Sequence, residues 1–341
     1  MATQRWVAPT ARTPEEASGA EAAGSLRPRT LAEYIGQAEL RQRLRIAIDA
    51  ARARNEPLDH VLLHGPPGLG KTTLAHVVAH EMGSNVHVTS GPALARPTDL
   101  VGFLTQLNHA DVVFIDEIHR LPVAVEEYIY PAMEDGRIDV AIDSGPHAKT
   151  VRISLKPFTL IGATTRAGLL SSPLRSRFGL THALSYYPAD DLSIILQRAA
   201  ELLEITASPE PLARIAKRSR GTPRIALRLL RRVRDYAQVR GEGTIDADTV
   251  AQALALEGVD ELGLDELDRR YLSTIRNTYE GGPVGLEAIA ATMGEDAGTL
   301  EDVVEPYLLQ IGLVARTRRG RELTRDGAAR AEDVAKGTLW T

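Results

Sequence analysis

Four apolar runs of strand length alternate with helical stripes along the first half of the chain. The runs are His60–His64, Val86–Thr89, Val112–Asp116 and Phe158–Gly162. The helical stripe before the first run consists of Leu40, Leu44, Ala47 and Ala51. A further helix is predicted from Lys71 to Met82, where Gly83 ends it. Apolar strands alternating with helices predict a parallel sheet buried on both faces, here over residues 26–185.

From Pro188 onward the pattern becomes purely helical. Leu192, Leu196 and Ala199 mark one stripe, which predicts a small helical domain over residues 186–262. Residues 263–341 then predict three helices followed by a hairpin, the order of a winged helix. The third helix is expected over Thr299–Gln310, with Thr299 as its N-cap and Pro306 as a kink.

Composition narrows the class of protein. Residues 1–25 are rich in Ala, Glu, Thr and Pro and are predicted to be a disordered leader. The 341 residues include no cysteine, which excludes disulfide scaffolds, cysteine-ligated zinc and thiol catalysis. No apolar run approaches the roughly 20 residues that span a bilayer, and no secretory signal is visible. These features fit a cytoplasmic protein without a membrane anchor.

The sequence Gly65–Thr72 matches the phosphate-loop pattern G-x-x-x-x-G-K-[ST]. Glycines such as Gly68 and Gly70 let backbone N–H groups approach phosphate, and the following helix directs its positive end at the same anion. Lys71 is expected to reach the β- and γ-phosphates, and the Thr72 hydroxyl to bind Mg²⁺. A strand precedes the loop and a helix follows it, as nucleotide binding requires.

Two adjacent carboxylates end the apolar run Val112–Asp116. At a strand end beside a phosphate loop, Asp116 is expected to join the Mg²⁺ site, while Glu117 polarises water for attack on the γ-phosphate. A helix start is the alternative reading of such a pair, and the phosphate loop upstream argues against it.

These residues resemble the AAA+ class, and longer blocks resemble the RuvB family, the bacterial Holliday-junction branch-migration motors. The blocks are Leu26–Pro28, Glu33–Gln37, Phe114–Leu121, Tyr130–Asp135, Phe158–Gly168, Ser172–Gly179, Gly221–Arg224, Gly281–Gly285 and Arg319–Arg321. The resemblance runs from Leu26 to Thr324. It implies an α/β P-loop (AAA+) domain with a parallel sheet, then a small helical lid domain and a C-terminal winged-helix domain.

The resemblance also implies residue roles. Thr164 and Thr165 stand where the class senses the γ-phosphate, and Thr165 is expected to hold the attacking water. Arg177 corresponds to the arginine finger, which stabilises charge in the neighbouring subunit's site, with Arg175 ranked second. Arg224 corresponds to a second phosphate sensor on the lid. Further nucleotide contacts are implied for Leu26, Arg27, Thr73, Glu134, Asp135, Gly136 and Tyr187.

The partners follow from the same resemblance. It implies an ATP- and Mg²⁺-dependent homo-hexamer that drives branch migration of four-way DNA junctions in recombination, repair and the SOS response. Residues 137–155 alternate like two strands around a turn, and the resemblance makes this hairpin the docking site for a RuvA-type protein. An ordinary edge hairpin is the alternative. A RuvC-type resolvase is the further expected partner.

The net charge of −5 means that any DNA-binding surface must be a local cluster. Residues 214–240 contain ten Lys or Arg and one acid, and residues 316–325 contain five Arg and one acid. A solvated charged face is the alternative for both. The third winged-helix helix carries Glu301, Asp302 and Glu305 and no Lys or Arg. We therefore expect the wing, through Arg316, Arg319 and Arg321, to contact phosphates without reading bases.

Two other classes of function remain open from the residues alone. A clamp loader or protein unfoldase would share the ATPase residues. The region 91–102 lacks an aromatic pore loop, however, with only Phe103 nearby. A winged-helix regulator with a nucleotide switch would need neither Glu117 nor Arg177, because it has no need of fast hydrolysis.

Overall fold

The computed structural model describes residues 26–141 and 150–335. They form two compact units, one comprising residues up to Gly65 and from Gly70 to Leu184, the other comprising Pro66–Leu69 and the chain from Ser185 onward. The predicted leader, the tip of the predicted hairpin and the last six residues lie outside the described residues. No helix in the described ranges has the length and apolar character needed to cross a membrane.

Within the described residues, the first unit contains five α-helices and seven strands. In chain order they are α1 (Ala38–Arg54), β1 (Val61–His64), α2 (Lys71–Met82), β2 (Val86–Ser90), α3 (Pro97–Leu104), β3 (Val112–Asp116), α4 (Val123–Glu134), β4 (Arg137–Ala141), β5 (Thr150–Ser154), β6 (Thr159–Thr164), α5 (Ser172–Ser176) and β7 (Leu180–Ala183). Five of the strands form a parallel sheet in the order β2-β3-β6-β1-β7, which confirms the predicted fold class.

Burial across this sheet explains the sequence pattern. Every residue of β6, and all but the last of β1 and β3, is buried, because helices cover both faces. The edge strands β2 and β7 carry more exposed residues. On α1 the buried stripe is Leu40, Leu44, Ile48 and Ala51, so Ile48 takes the place predicted for Ala47.

Four predicted strand limits were wrong, in β1, β2 and β6: β2 continues one residue further, to Ser90, and β6 begins at Thr159 rather than Phe158. β1 begins at Val61, and the ring of the preceding His60 is held by two contacts: Nδ1 accepts from the Leu160 N–H, and Nε2 lies 3.1 Å from the Met133 carbonyl oxygen. β6 continues past Gly162 to Thr164, because His64 pairs with Thr164 in the parallel ladder. Thr164 is therefore the last residue of a strand and does not follow it.

The predicted hairpin at residues 137–155 forms an antiparallel pair, β4 with β5, that is separate from the main sheet. Ile138 is fully buried against the core, whereas Val151 is 44% exposed. Across the pair, Arg152 Nε lies 2.9 Å from Asp139 Oδ1. One face of the hairpin thus packs on the core of the first unit, and the other face is exposed.

The second unit begins with four helices: α6 (Ala189–Leu202), α7 (Pro209–Lys217), α8 (Pro223–Arg240) and α9 (Ala247–Leu256). Their apolar stripes pack together, as predicted for the helical domain. Thr222 caps α8 through a hydrogen bond from the Ile225 N–H to its hydroxyl, and Pro223 occupies the first helical position.

A winged helix follows. Its elements are α10 (Glu266–Tyr279), α11 (Leu286–Met293), α12 (Ala297–Thr299), π-helical turns at Leu300–Val304, α13 (Glu305–Gln310), β8 (Val314–Thr317), β9 (Gly320–Leu323) and α14 (Arg325–Ala335). The third helix begins earlier than predicted, because Asp296 rather than Thr299 is its N-cap and accepts from the Thr299 N–H at 2.9 Å. The wide turns fall directly before Pro306, which has no N–H to donate.

The sequence pattern missed α14. Its start carries ordinary helix signals, because Thr324 Oγ1 accepts from the Gly327 N–H at 3.0 Å and Asp326 lies in the first turn. Ala331 is fully buried in the winged-helix core, which also contains Tyr271, Leu272 and Ile275 of α10.

Arg220 joins the helical domain to the winged helix within the second unit. Its side chain is only 8% exposed, and Nη2 lies 2.7 Å from carboxylate oxygens of both Asp265 and Asp268. Its Nε donates to the Gly263 carbonyl at 2.8 Å, and its guanidinium lies 5.4 Å from the Tyr307 ring centroid. The expectation that the whole first basic cluster is either a DNA surface or a solvated face is thus wrong for Arg220.

The two carboxylates of this joint differ in proton affinity. Burial raises the pKa of Asp268 to about 7, with Arg220 only partly offsetting the cost. Asp265 is less buried, and Arg220 together with backbone N–H groups outweighs desolvation and lowers the pKa of Asp265.

We expect Asp268→Asn to change the pH dependence of stability. Between its ordinary pKa and about 7, the folded protein holds a proton on Asp268 that the unfolded chain has lost, so the free energy of unfolding falls as pH rises. From pH 5 to pH 8 the variant should therefore gain about 2–3 kcal/mol relative to the original protein. Denaturant unfolding followed across this range measures the difference.

Asp265→Asn is the matched control, and its effect should have the opposite sign. Because its pKa is lowered, Asp265 contributes stability that is present near neutrality and lost in acid. If Asp268→Asn left the pH dependence unchanged from pH 5 to pH 8, the assignment of the buried proton to Asp268 would be wrong.

Candidate active site

The phosphate loop joins β1 to α2 and is shaped by its backbone. At its start the Gly65 N–H donates to the Thr164 carbonyl at 3.2 Å, and Lys71 Nζ donates to the Gly65 carbonyl at 2.8 Å. α2 begins after Gly70, whose φ of 96° is left-handed, and no described side chain caps the helix. The first N–H groups of α2 therefore point toward the loop, where an anion can accept from them.

Two glycines keep this loop close to its neighbours. Gly65 has φ +135°, and a Cβ there would lie 2.6 Å from the Leu184 carbonyl oxygen. Gly68 has φ +82°, and its Cβ would lie 3.1 Å from Arg224 Cβ. The residues present thus fit a phosphate ligand, because the loop has the glycines, the helix start and the buried lysine that such a ligand needs.

The acidic pair lies at the carboxyl end of β3. Asp116 Oδ1 accepts from the Glu117 N–H at 3.0 Å, and Glu117 itself is left-handed with φ 48°. The Glu117 carboxylate pairs with Arg120 at 2.9 Å, and both side chains are about half exposed. An exposed pair of this kind is worth at most about 1 kcal/mol, so Glu117 can leave Arg120 at little cost.

The two threonines at the end of β6 have different surroundings. Thr164 is buried, and its hydroxyl lies 2.9 Å from His119 Nδ1 and accepts from the Arg166 N–H at 3.0 Å. The Thr165 side chain is exposed. Thr164 thus holds the turn after the acidic pair, whereas Thr165 is the threonine that can meet a phosphate or water.

Strand order brings these groups to one edge of the sheet. β6 lies between β1 and β3, with His64 paired to Thr164 and Ile115 paired to Gly162. The carboxyl ends of the three strands therefore carry the phosphate loop, the acidic pair and Thr165. Burial, with the charges of Arg175 and Lys71, lowers the pKa of His64 at the end of β1, so this edge does not gain a further cation at neutral pH.

Arg177 lies in a second cluster, formed by α4 and the end of α5. Its guanidinium donates from Nη1 to the Pro173 carbonyl at 2.7 Å and from Nη2 to Glu134 at 3.2 Å, and it lies 4.4 Å from the Tyr130 ring centroid. Arg177, the predicted arginine finger, is thus hydrogen-bonded to Glu134, which was predicted to contact the nucleotide. The next residue, Asp135, pairs instead with Arg137 at 3.1 Å.

In the second unit, the helical domain contacts the middle of the phosphate loop. The Arg224 N–H donates to the Gly68 carbonyl at 3.3 Å, and the buried Tyr187 donates from its hydroxyl to the Leu69 carbonyl at 3.3 Å. Tyr187 and Arg224 thus both contact the loop, and their predicted roles at the adenine and at phosphate stay predictions.

In the first unit, Arg27 lies near the helix that follows the loop. Burial, with the Arg27 charge, lowers the pKa of His76 on α2. Leu26 is partly buried and Arg27 is exposed. Both positions are compatible with the predicted base contacts, which stay predictions.

The wing residues differ from the expectation. Glu305 is fully buried and accepts from Tyr271 at 2.7 Å, from Arg316 Nε at 2.7 Å and from Arg321 Nε at 2.9 Å. Glu305 is therefore not part of an acidic outer face. Two of the three predicted DNA contacts, Arg316 and Arg321, are already paired inside the winged helix.

Burial opposes ionisation of Glu305, but the hydrogen bonds from Arg321, Tyr271 and Arg316 outweigh it and lower its pKa. The same ion pairing raises the pKa of Arg321 despite its burial. Arg318 and Arg319, at the tip, are exposed, and no described carboxylate pairs with either side chain. Sequence reasoning left Arg318 out of the contact set, although it lies in the same Arg-rich stretch.

Together these features define a P-loop ATPase of the AAA+ class, carrying a helical lid and a winged helix. Three family models match consecutive parts of the chain. Residues 26–184 match the "Holliday junction DNA helicase RuvB P-loop domain", residues 187–260 the "RuvB AAA lid domain" and residues 261–330 the "RuvB C-terminal winged helix domain". The chain therefore belongs to the RuvB family.

Solved structures of RuvB proteins support the same family assignment. The Thermotoga maritima RuvB Holliday junction branch migration motor is 50% identical, with a TM-score of 0.82 over 90% of this chain and 98% of that chain. A lysine-to-arginine variant of it is 51% identical, with a TM-score of 0.83 and the same coverage. The Aeropyrum pernix ORC2 protein, at 17% identity and a TM-score of 0.53, shares the fold alone.

We expect Gly68→Ala to weaken nucleotide binding about tenfold, because a side chain at a left-handed position costs roughly 1–2 kcal/mol and the new Cβ crowds Arg224. Titration with a fluorescent nucleotide measures the affinity. Gly102→Ala is the control, since nothing lies within 4 Å of a Cβ there. Equal affinities of the two variants would contradict a close approach of the Gly68 backbone to the ligand.

Proposed function

We propose that this protein is an ATP-driven motor that pumps duplex DNA through four-way junctions and so drives branch migration in recombination and repair. One observation carries the proposal: the hydrolytic residues share one sheet edge in a chain that matches, over all three domains, a branch-migration motor at 50% identity. The RuvB family models, which together match residues 26–330, favour this function over the clamp-loader, unfoldase and regulator alternatives.

ATP would bind at the phosphate loop, with Lys71 on the β- and γ-phosphates. Thr72 and Asp116 would hold Mg²⁺, which supplies positive charge against the phosphates when bound. Phosphate and water oxygens would complete the ligand set, as is usual for Mg²⁺ at nucleotide sites. Glu117 would leave Arg120 to polarise the attacking water, and Thr165 would orient that water.

Other side chains would hold the rest of the nucleotide. Leu26, Arg27 and Tyr187 would surround the adenine, while Thr73 would contact phosphate from the first turn of α2. Arg224, whose backbone already contacts Gly68, would bind phosphate as the lid sensor.

The active site would be completed by a neighbouring copy of the chain. Arg177 would reach the neighbour's γ-phosphate. The last residue of α4, Glu134, and the two residues after it, Asp135 and Gly136, would face the same nucleotide. Such a finger acts only in an assembly, and we propose a homo-hexameric ring. Arg177 would exchange its partly exposed pair with Glu134 for the phosphate, which offers more negative charge.

The hairpin of β4 and β5 would bind a RuvA-type junction protein. Its outer face exposes Val151, and no core of this unit covers that side. A RuvC-type resolvase would act on the same junctions. The cytoplasmic location stays a prediction.

The wing would grip DNA mainly through Arg318 and Arg319. Arg316 and Arg321 would have to leave buried Glu305 to bind phosphate, and stripping a buried carboxylate of its partners costs roughly 3–5 kcal/mol. Arg319 keeps its predicted role, Arg318 joins it, and Arg316 and Arg321 mainly hold the wing in place.

We expect the protein to move a synthetic four-way junction with ATP, and more strongly with a RuvA-type partner. Neither Lys71→Ala nor Arg177→Ala protein alone should hydrolyse ATP at a substantial rate. Mixing the two should restore hydrolysis. At some subunit interfaces the intact phosphate loop of an Arg177→Ala subunit then meets the intact Arg177 of a Lys71→Ala subunit. Measurable ATPase without branch migration, with or without the partner, would contradict the motor assignment. Full activity of either single variant would contradict the shared site.

We expect Arg318→Ala/Arg319→Ala to lower duplex affinity and to reduce the slope of log affinity against log salt by about 2, since each lost phosphate contact removes about 0.9. Fluorescence anisotropy at several salt concentrations measures both. Arg325→Ala, which removes an exposed arginine just outside the wing, is the control. An unchanged slope in the double variant, with a reduced slope in Arg316→Ala, would show that the paired arginines make the contact.

A further inference from the structure

The guanidinium of Arg177 rests on the ring of Tyr130. The two are 4.4 Å apart, and only 20% of the Arg177 side chain is exposed. An arginine over an aromatic face is held in direction as well as in place. The orientation of the Tyr130 ring therefore helps to decide where Arg177 points.

The hydroxyl of Tyr130 is held by a buried carboxylate one turn earlier on α4. Tyr130 donates to Glu126 Oε2 at 2.7 Å, and Glu126 is only 7% exposed. Burial, together with Glu126, raises the pKa of Tyr130, so the phenol keeps the proton that it donates. A hydrogen bond to a charged acceptor is about twice as strong as a neutral one.

The same Glu126 oxygen also accepts from Ser171. That bond is 2.7 Å long, and the Ser171 and Tyr130 hydroxyls are 3.2 Å apart. Ser171 is the N-cap of α5, where it accepts from the Leu174 N–H at 3.3 Å, and Arg177 directly follows the last residue of that helix. One carboxylate oxygen thus ties together the ring beneath Arg177 and the start of the helix that presents Arg177.

A buried carboxylate is expensive to keep, and the proposed ATP chemistry uses Glu126 nowhere. Two hydrogen bonds repay part of that cost and fix two separate segments relative to each other. Arginine fingers need this kind of support, because misplacement by about 1 Å can cost a hundredfold in rate.

We propose that Glu126 is a positioning residue for Arg177, acting through Tyr130 and Ser171 to hold the guanidinium in the direction of the neighbouring subunit's γ-phosphate. This inference rests on the proposed function, in which Arg177 completes the site of the adjoining copy. It follows that a defect at Glu126 impairs the neighbour's site and leaves the nucleotide site of its own chain intact.

The primary variant is Glu126→Gln, which keeps the shape but replaces the charged acceptor of both hydroxyls with a neutral amide oxygen that accepts more weakly. Its matched control is Glu127→Gln, on the next residue of the same helix, where the side chain is exposed. Tyr130→Phe keeps the ring beneath Arg177 and removes the hydroxyl that contacts Glu126 and Ser171. The first and third variants should lower kcat for ATP about ten- to hundredfold with little change in nucleotide affinity, and the control should match the original protein.

Mixing two variant proteins shows whether Glu126→Gln acts through Arg177 or damages the fold in general. Glu126→Gln protein mixed with Lys71→Ala protein should recover hydrolysis, because its intact loop meets an intact Arg177 from the other variant. Mixed with Arg177→Ala protein it should recover nothing, because both copies then lack a working finger. The Tyr130→Phe protein should behave in the same way in both mixtures, which keeps the test valid if Glu126→Gln does not fold.

A third mixture tells failure of this inference from failure of the proposed function. Arg177→Ala with Lys71→Ala protein must recover activity if the site is shared between copies. If that mixture recovers and the Glu126→Gln and Tyr130→Phe mixtures with Lys71→Ala do not, Glu126 acts within its own chain and the inference is overturned. If the Arg177→Ala mixture itself fails, the shared site is wrong.

Discussion

Parallel pairing of three buried strands is the constraint on which the nucleotide chemistry depends. β6 lies between β1 and β3, so the strand ends that carry the phosphate loop, the acidic pair and Thr165 meet at one edge. Gly162 in β6 leaves no room for a side chain, since a Cβ would lie 2.8 Å from Ile118 and 3.0 Å from Phe178. Those two residues directly follow Glu117 and Arg177, so one glycine sets how closely both turns pack on the sheet.

Several charged side chains proposed to act on ATP or DNA form ion pairs within the chain. Burial of the pair decides how much it costs to break it. Glu117 pairs with Arg120 at the surface, where an exchange of partners costs little. Arg177 pairs with a half-exposed Glu134. Arg316 and Arg321 share fully buried Glu305, and freeing them would leave a carboxylate without compensation. The same residue type is therefore available for phosphate at one site and structural at another.

The turn between α7 and α8 serves two contacts at once. Arg220, which is left-handed with φ 51°, reaches the winged helix through Asp265 and Asp268, and Arg224 lies against Gly68 of the phosphate loop. Arg220 and Arg224 are four positions apart, so a single short segment contacts both the winged helix and the phosphate loop.

Local spacing and apolar runs were enough to predict the fold class, the phosphate loop, the acidic pair and the order of the three domains. They could not show which charged side chains are paired and buried among the described residues. Nothing local distinguishes Arg220 or Arg321 from Arg318 and Arg319, or Glu305 from Glu301. Their roles depend on which side chains from distant parts of the chain surround them. The link from Glu126 to Ser171 spans 45 residues and could not be seen in any local pattern.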